Sequence, residues 1–309
     1  MKIIFMGTPD FAVPCLEKLI ECGHKVLGVY SQPDKPVGRK QVLTAPPVKL
    51  CAEKHGIPVY QPLSLKNDDE IEKIKGFNAD AIIVVAYGKI LSESILSASK
   101  YGCINVHASL LPKYRGSAPI QWSVLNGDKE TGVTVMQMDR GIDTGDMLYV
   151  EKTEIGENET SQELFDRLSA IGANALVKVL DNIEYYQKNR KAQPAGDFGY
   201  AEKITKALST IDWSRSADEI HNQVRGLQSW PCAVTYFNGK QLKIHKTVKS
   251  DKTADKAGKI VDNKNSLTVC CGDGRCLDIE YLQLEGKKKM DAKSFLQGNN
   301  IEIGTVLGE

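Results

Sequence analysis

Apolar and polar positions along the first thirty residues follow the pattern of a strand, a helix and a second strand. Residues 2–6 form an almost unbroken apolar run, which is typical of a buried strand. Thr8 is a candidate N-cap, Pro9 suits a first helical position, and apolar residues then recur at helical spacing as far as Gly23. Residues 26–30 return to a strand pattern. This order predicts a parallel sheet with right-handed crossovers.

The alternation of strands and helices continues well beyond this opening. Residues 79–86 and 102–106 are strongly apolar and predict two more buried strands. Thr160 followed by Glu163 is the signature of a capping box and predicts a long helix over residues 160–186. The glycine-rich fingerprint of dinucleotide-binding proteins does not follow the first strand, which argues against a nicotinamide cofactor.

Two segments lack any periodic pattern. Residues 31–49 are rich in proline, and we expect a long loop without regular structure there; loops of this length are often functional. Residues 193–206 begin with Gln-Pro-Ala-Gly-Asp-Phe-Gly, a composition typical of a linker. The sequence therefore predicts one α/β domain over residues 1–192 and a second domain over residues 207–309.

The second domain has the pattern of a small β-barrel. A helical segment at residues 217–226 precedes a series of short alternating runs, at residues 233–237, 242–248, 258–261, 267–271 and 277–284. Asn238-Gly239 between the first two runs is a strong hairpin signal. Short strands at this spacing are typical of barrels and sandwiches.

Net charge, cysteine spacing and the length of the apolar runs limit the class of protein to which the chain can belong. The formal net charge of the 309 residues is only +1, so no basic field covers the whole surface, although residues 205–309 carry 16 Lys and Arg against 13 Asp and Glu. The 8 cysteines lack paired metal-ligand spacing, so we expect no metal site and a reducing compartment. The sequence shows no signal peptide and no long apolar span, and we expect a cytoplasmic protein.

Three polar residues carry the candidate chemistry. Asn105 and His107 lie two residues apart at the end of an apolar run, so both side chains point to the same face of a strand. The segment Ser-Leu-Leu-Pro at residues 109–112 follows, and Asp143 lies in a glycine-framed loop. An amide donor, a titratable ring and a carboxylate are sufficient for acyl transfer without a nucleophilic side chain.

These motifs resemble the folate-dependent formyltransferases, and over the whole chain the resemblance is to the methionyl-tRNA formyltransferase family. The matching segments are FMGTPDFA at residues 5–12, QPDKPVGR at 32–39, AYG at 86–88, NVH at 105–107, SLLPKYRG at 109–116, DTG at 143–145, IDW at 211–213 and QSWP at 228–231. The resemblance implies a Rossmann-like doubly wound parallel sheet domain followed by an OB-like β-barrel domain that contacts tRNA.

The resemblance also implies a reaction: a formyl group moves from 10-formyltetrahydrofolate to the free amine of initiator methionyl-tRNA, for translation initiation. No metal is implied, and we expect a monomer. Asn105 and His107 would hold the oxyanion, and Asp143 would orient His107. The remaining assignments are folate binding by Tyr87, Gly88, Ser109, Leu110, Leu111, Pro112 and Asp139, a methionine pocket at Phe11, and tRNA binding by Arg39, Lys40 and Lys206.

Several of these residues have an ordinary structural interpretation as well. Phe11, Tyr87, Leu110 and Leu111 could belong to the core, and Asp139 could cap a turn. Other functions would use the same first domain: formylation of a nucleotide sugar or a purine precursor, or hydrolysis of formyl-folate. A catalytically silent protein that binds RNA or senses folate is a further alternative.

Overall fold

The computed structural model describes residues 1–38, 40–264 and 266–308. The chain divides into two units. The N-terminal unit comprises Met1–Gly116, Thr131–Thr153 and Phe165–Tyr200, and the C-terminal unit comprises Ser117–Glu130, Glu154–Leu164 and Ala201–Glu309. No change in composition marks the two inserted segments, 117–130 and 154–164, that group with the C-terminal unit.

The secondary structure alternates in the first two hundred residues and is mainly β afterwards. The strands are β1 (Lys2–Gly7), β2 (Lys25–Tyr30), β3 (Lys35–Val37), β4 (Val42–Thr44), β5 (Val59–Tyr60), β6 (Ala81–Val85), β7 (Cys103–His107), β8 (Arg115–Gly116), β9 (Glu130–Gln137), β10 (Met147–Glu154), β11 (Tyr200–Ala201), β12 (Ala233–Phe237), β13 (Lys240–Thr253), β14 (Ile260–Asp262), β15 (Leu267–Cys270), β16 (Arg275–Leu284) and β17 (Met290–Asp291). The helices are α1 (Val13–Glu21), α2 (Pro47–Lys54), α3 (Asp68–Gly76), α4 (Glu93–Leu96), α5 (Pro119–Leu125), α6 (Ser161–Asp181), α7 (Ile183–Lys188), α8 (Ala217–Gly226) and α9 (Ala292–Gly298), with 3-10 turns at Asp10–Ala12 and Lys206–Leu208.

A central sheet with the strand order β10-β9-β7-β6-β1-β2-β5 forms the N-terminal unit. The pairs β2–β5, β1–β2, β1–β6 and β6–β7 are parallel, and β9 joins β7 antiparallel. The predicted α/β fold with a parallel-rich sheet is therefore confirmed, and the antiparallel edge makes the sheet mixed. The chain winds outward from β1 in both directions, so a crevice opens between the carboxyl ends of β1 and β6, where ligands bind in such sheets.

The segment at residues 31–49 is more regular than the sequence analysis expected. Strands β3 and β4 pair antiparallel, and α2 already begins at Pro47. The expectation of an unstructured loop was therefore wrong: Pro36 is accommodated because it lies in an isolated two-stranded ribbon, where one edge needs no partner. Asp34 anchors the segment through an ion pair with Lys49 at 2.9 Å.

Two predicted details at helix ends also differ. Thr8 does not cap a helix: Pro9 is the N-cap of the first turn, and the Thr8 hydroxyl donates to the Tyr87 carbonyl at 3.1 Å instead. The helix predicted over residues 160–186 ends at Asp181, because Asn182 adopts a non-helical conformation with φ −132° and is the N-cap of α7. Asparagine favours such breaks because its side chain competes for backbone hydrogen bonds.

The sheet of the C-terminal unit has the order β12-β13-β16-β15-β14, and its neighbouring strands pair antiparallel. The hairpin predicted at Asn238-Gly239 is present, with both residues at positive φ, as a type I′ turn requires. The chain end covers both edges of the sheet. Leu307 N–H donates to the Gly258 carbonyl at 2.9 Å beside β14, and Gly308 N–H donates to the Tyr236 carbonyl of β12 at 2.9 Å.

Buried polar contacts fasten residues 154–164 to α8 within this unit. The His221 Nε2–H donates to the Glu157 carbonyl at 3.1 Å, and Nδ1 accepts from the Thr247 hydroxyl at 2.9 Å. Burial lowers the pKa of His221, which agrees with this neutral arrangement. The Arg225 guanidinium donates to the Glu159 carbonyl at 3.1 Å. None of the helices among the described residues has the length and apolar character that crossing a bilayer requires.

Capping boxes begin two helices. At Thr160, as predicted, the Glu163 N–H donates to the Thr160 hydroxyl at 3.3 Å and the Thr160 N–H donates to the Glu163 carboxylate at 2.8 Å. Ser216 and Glu219 form the same pair of bonds at α8. The Ser216 side chain and backbone, followed by Arg215, lower the pKa of Glu219 to about 2 from its ordinary 4.5.

We predict that Ser216→Ala raises the pKa of Glu219 toward 4.5, because the hydroxyl is the main group that lowers it. Since the folded-state pKa is depressed, these bonds stabilise the folded chain above pH 4.5 and cease to do so as the pH falls toward 2. The measurement is an NMR titration of the Glu219 carboxyl carbon. Ser294→Ala, which removes a serine from the cap of α9, is the control. An unchanged Glu219 pKa in the Ser216 variant would contradict this assignment.

Candidate active site

Asn105 and His107 lie at the carboxyl end of β7, where the parallel pairing with β6 fixes their positions. Val84 is the register partner of Asn105, and the Asn105 amide donates one hydrogen to the Val84 carbonyl at 3.1 Å. The buried Asn105 Oδ1 has no hydrogen-bond partner among the described residues. A buried amide oxygen without a partner is costly, so a donor on a bound molecule would stabilise it.

The His107 imidazole is fixed from both sides. It is only 7% exposed, and its Nε2 lies 2.9 Å from the Tyr114 carbonyl oxygen. A carbonyl oxygen only accepts, so Nε2 carries a hydrogen and donates it to Tyr114. The other nitrogen, Nδ1, faces the Asp143 carboxylate at 3.7 Å. The structure thus brings together the ring and the acid that the sequence placed 36 positions apart.

A set of hydrogen bonds holds the Asp143 loop. Asp143 adopts φ +54°, and its Oδ2 accepts the Gly116 N–H at 2.9 Å. The Gln193 amide donates to the carbonyls of Asp143 and Gly145, both at 2.8 Å, and the Arg115 guanidinium donates to Gln193 Oε1 at 2.7 Å. A Cβ at Gly145 would lie 1.7 Å from the Gln137 carbonyl oxygen, so this position requires glycine.

The segment 109–112 is held against β9 by one buried hydroxyl. Thr134 Oγ1 accepts the Leu111 N–H at 3.1 Å and donates to the Ser109 carbonyl at 2.7 Å. The Ser109 hydroxyl is buried and donates to the Lys113 carbonyl at 2.7 Å. The peptide bond before Pro112 is cis. Leu110 is partly exposed and Leu111 is buried, so the two leucines have different surroundings.

The end of β6 reaches the crevice between β1 and β6. The Tyr87 carbonyl accepts from the Thr8 hydroxyl at 3.1 Å and from the Gln32 amide at 3.0 Å. Gly88 follows at φ +80°. The Tyr87 ring is only 2% exposed and packs in the core with Tyr30 and Leu91. A folate contact at Tyr87 stays a prediction, and this burial directs it to the main chain rather than to the ring.

The other predicted site residues differ in their exposure to solvent. Phe11 is buried and packs edge-on against Phe165 with ring centroids 5.3 Å apart. Asp139 is exposed and caps its own loop, accepting the Gly141 N–H at 3.0 Å. Lys40 and Lys206 are exposed, and Arg39 lies outside the described residues. The folate role of Asp139, the methionine role of Phe11 and the tRNA roles of the basic residues stay predictions.

Comparison with known proteins identifies the family. The formyl transferase pattern matches residues 1–180, and the formyl transferase C-terminal domain pattern matches residues 203–300. The chain is 49% identical to a methionyl-tRNA formyltransferase of Alkaliphilus oremlandii over 310 aligned positions that cover 100% of both chains. The chain belongs to the methionyl-tRNA formyltransferase family. A second member of this family, from Clostridioides difficile, is 48% identical over 100% of both chains.

Solved structures extend the similarity to the fold of the wider formyltransferase group. The sugar 3N-formyltransferase WlaRD, determined in the presence of dTDP and 5-N-formyl-THF, superimposes with a TM-score of 0.68 at 21% identity. The alignment covers 93% of this chain and 99% of WlaRD. At this identity the likeness concerns the fold alone.

Sequence reasoning missed the residues of this formyltransferase that hold the site loops in place. Thr134 and Gln193 bond to loop backbones, and Thr8 and Gln32 bond to the Tyr87 carbonyl. Gln193 was assigned to the linker, yet its amide bonds to a loop 50 residues earlier. No motif or local periodicity could have revealed a contact between such distant parts of the chain.

We predict that Gln193→Ala slows formyl transfer by roughly ten- to hundredfold, because small displacements of a catalytic group have effects of this size. The variant loses both bonds to the Asp143 loop, while the Asp143 side chain itself is intact. The measurement is the turnover number, with the melting temperature as a check on folding. Asn189→Ala is the control, because that amide bonds to the Tyr185 carbonyl at 2.8 Å. Turnover equal to that of the control would show that the Gln193 bonds do not position Asp143.

Proposed function

We propose that this formyltransferase moves the formyl group of 10-formyltetrahydrofolate to the α-amine of methionine on initiator tRNA. The observation that carries the proposal is the whole-length identity of 49% to a methionyl-tRNA formyltransferase, in a chain whose His107 faces Asp143 beside Asn105. The product, N-formylmethionyl-tRNA, serves translation initiation. We expect the protein to act as a monomer. We also expect it in the cytoplasm, where free cysteines such as those of this chain stay reduced.

The chain offers a suitable environment for a formyl-folate. The unpartnered Asn105 Oδ1 is a buried acceptor that suits an N–H group of a bound molecule. The backbones of Gly88, Ser109 and Pro112 and the side chains of Leu110 and Leu111 are the proposed folate-binding residues, and Asp139 is a further candidate. When bound, the donor supplies the formyl carbon that the amine attacks.

Asn105 is the group best placed to stabilise the developing oxyanion. Its second amide hydrogen needs no rearrangement to donate, because only the first is used by the Val84 carbonyl. An α-amine titrates near pH 8 in a free chain, so a fraction is neutral and nucleophilic at physiological pH. Attack of the amine gives a tetrahedral intermediate, and the negative charge on its oxygen is then the main feature that the protein must stabilise.

For His107 we propose a role that differs from direct contact with the oxyanion. Its Nε2–H is already donated to the Tyr114 carbonyl, so a direct bond to the oxyanion would require the ring to exchange that partner. A protonated ring, in contrast, would donate to Tyr114 and toward Asp143 without moving. We propose that His107 acts mainly as this fixed cation beside the reacting centre and exchanges protons through water with the amine and the leaving folate nitrogen.

Asp143 supports this role through its charge and its position. Its carboxylate faces Nδ1 at 3.7 Å and is itself held by the Gly116 N–H. A negative charge at this distance compensates a positive ring in a largely buried environment. Asp143 therefore orients His107 and stabilises the form of the ring that donates protons.

Recognition of tRNA is proposed for the basic residues of both units. Arg39, Lys40 and Lys206 would contact phosphates, and Phe11 would line the methionine pocket. The antiparallel sheet of the C-terminal unit supports an OB-like barrel over residues 207–309, joined through residues 193–206 to a catalytic domain over residues 1–192. Phosphate contacts would orient the tRNA without reading its sequence.

The assay of products separates this function from its alternatives. The purified protein is incubated with 10-formyltetrahydrofolate and, in parallel, with methionyl initiator tRNA, a nucleotide-linked amino sugar, or water alone. The proposal expects formyl-methionyl-tRNA with stoichiometric release of tetrahydrofolate. Formate released without an acceptor would indicate a hydrolase of formyl-folate, and a formylated sugar would indicate a nucleotide-sugar formyltransferase. Binding of folate or tRNA without turnover would indicate a catalytically silent protein.

We predict that Asn105→Ala and His107→Ala each lower the turnover number by at least about a hundredfold. Asn105→Ala removes a donor to the oxyanion, and His107→Ala removes the nearby positive charge and the group that exchanges protons. Formylation kinetics with charged initiator tRNA measure the effect, and donor affinity and melting temperature show whether each variant is folded. His24→Ala is the control for His107, because that ring lies beside the amino terminus, 3.3 Å from the Met1 nitrogen. A folded His107 or Asn105 variant with near-normal turnover would refute its catalytic role.

We predict that Lys40→Ala, Arg39→Ala and Lys206→Ala raise the KM for charged tRNA and leave donor binding unchanged. Each variant should also show a smaller dependence of kcat/KM on salt, because every lost phosphate contact removes about one released counterion. The control is Lys25→Ala, an exposed lysine on β2. Variants whose salt dependence equals that of the control would show that these side chains do not contact tRNA.

A further inference from the structure

Helices α1 and α2 bring together three side chains of types that bind transition metals. Glu17 lies on α1, Cys51 lies on α2, and His55 follows at the end of α2. A carboxylate oxygen, the thiol sulfur and an imidazole nitrogen from these residues lie within 4.8 Å of one another. Among the described residues this is the one group of three such side chains at that separation.

The spacing on α2 explains why two of the three groups converge. Cys51 and His55 are four residues apart, and the His55 N–H donates to the Cys51 carbonyl at 3.3 Å, so a helical turn connects them. Side chains at positions i and i+4 lie on the same face of a helix, one above the other. Glu17 supplies the third group from the neighbouring helix α1. Sequence spacing alone could not reveal this group, because it lies on two helices more than thirty residues apart.

None of the three groups is engaged elsewhere in the part of the chain that the structure describes. The Glu17 carboxylate, the Cys51 thiol and the His55 ring make no hydrogen bond or ion pair there. Burial raises the pKa of the Cys51 thiol, and the Glu17 carboxylate raises it further, which reflects how close the two groups are. His55 is exposed and Cys51 is 6% exposed, so an ion can enter from the solvent side.

We propose that Glu17, Cys51 and His55 form a binding site for Zn²⁺ or a chemically similar divalent metal ion, with water as the fourth ligand. Thiolate and imidazole ligands favour Zn²⁺ over Mg²⁺ and Ca²⁺, which prefer oxygen. In a tetrahedral zinc site the ligand atoms are roughly 3.3–3.6 Å apart, so the side chains need to approach by only about 1 Å. Three protein ligands and a water complete a coordination sphere that zinc commonly adopts.

Charge and proton balance are satisfied at this site. On binding, the Cys51 thiol loses its proton to the buffer, a sulfur–zinc bond forms, and hydrated Zn²⁺ releases the waters that the three ligands replace. The thiolate and the Glu17 carboxylate together neutralise the double charge of the ion. No oxidant or reductant is needed. The bound ion would link α1 to α2, which begins directly after the β3–β4 ribbon, and would stabilise this part of the N-terminal unit.

The test uses the full-length protein without any affinity tag and Zn²⁺ or Co²⁺ alone as the probe. Competition with a chromophoric chelator should show one tightly held Zn²⁺ per chain, and Co²⁺ should give a thiolate-to-cobalt charge-transfer band with visible bands of tetrahedral intensity. Cys51→Ser should abolish the charge-transfer band. It should also weaken Zn²⁺ binding by at least about tenfold, since even loss of a residue behind a metal ligand costs ten- to a hundredfold.

Two further variants make the outcome decisive. Glu17→Gln keeps the thiol and should weaken Zn²⁺ binding while retaining the charge-transfer band of Co²⁺. Cys22→Ser removes an exposed free cysteine at the end of α1 and should change neither signal. The proposal is overturned if wild type binds no Zn²⁺ in the competition assay, if Cys51→Ser and Glu17→Gln bind it as tightly as wild type, or if Cys22→Ser is the variant that loses the cobalt band.

Discussion

The parallel pairing of β6 with β7 is the constraint on which the candidate active site depends. It sets Asn105 beside Val84, so one amide hydrogen is used by the neighbouring strand, while the amide oxygen has no partner among the described residues. Two residues further on, the same strand delivers His107 to the same face. A shift of one residue in this register would turn both side chains to the opposite face of the sheet and remove the site.

Two irregular segments supply the other groups that face His107. The Tyr114 carbonyl and the Asp143 carboxylate reach His107 from two loops, and neither loop has a regular conformation of its own. Their shape is maintained by side chains that bond to backbone groups: Gln193 bonds to the Asp143 loop and Thr134 bonds to the segment after His107. Because a hydrogen bond of this kind is directional, the distance between the Asp143 carboxylate and the His107 imidazole depends on residues that contact neither of these two side chains.

Local signals allowed much of this fold and site to be predicted from the sequence. The period of two placed Asn105 and His107 on one face, Asn238-Gly239 specified its hairpin, and the Thr160 capping box marked the start of α6. These features depend on residues within a few positions of one another. The family motifs added Asp143, which no periodicity would have selected.

The remaining features depend on contacts between distant residues and leave no local pattern. The role of Gln193, the covering of the β12 and β14 edges by the chain end, and the approach of Glu17 to Cys51 follow only from the tertiary packing within each unit. The end of α6 before Asn182 has a weak local signal, because asparagine permits a helix to break but does not require it. The hydrogen bond from His107 to the Tyr114 carbonyl is a further contact that the residue types alone did not reveal.

The charge of Asp143 is the feature of the candidate active site that one substitution tests most directly. Asp143→Asn keeps the side-chain shape, tolerates φ +54°, and retains an oxygen that can accept the Gly116 N–H, but it removes the negative charge that faces His107. The measurement is the single-turnover rate of formylation of charged initiator tRNA at saturating donor. We predict a rate at least about a hundredfold lower with unchanged donor binding, of the order expected when a major electrostatic contribution is lost. A rate within about threefold of wild type would contradict the claim that a charged Asp143–His107 pair drives the reaction.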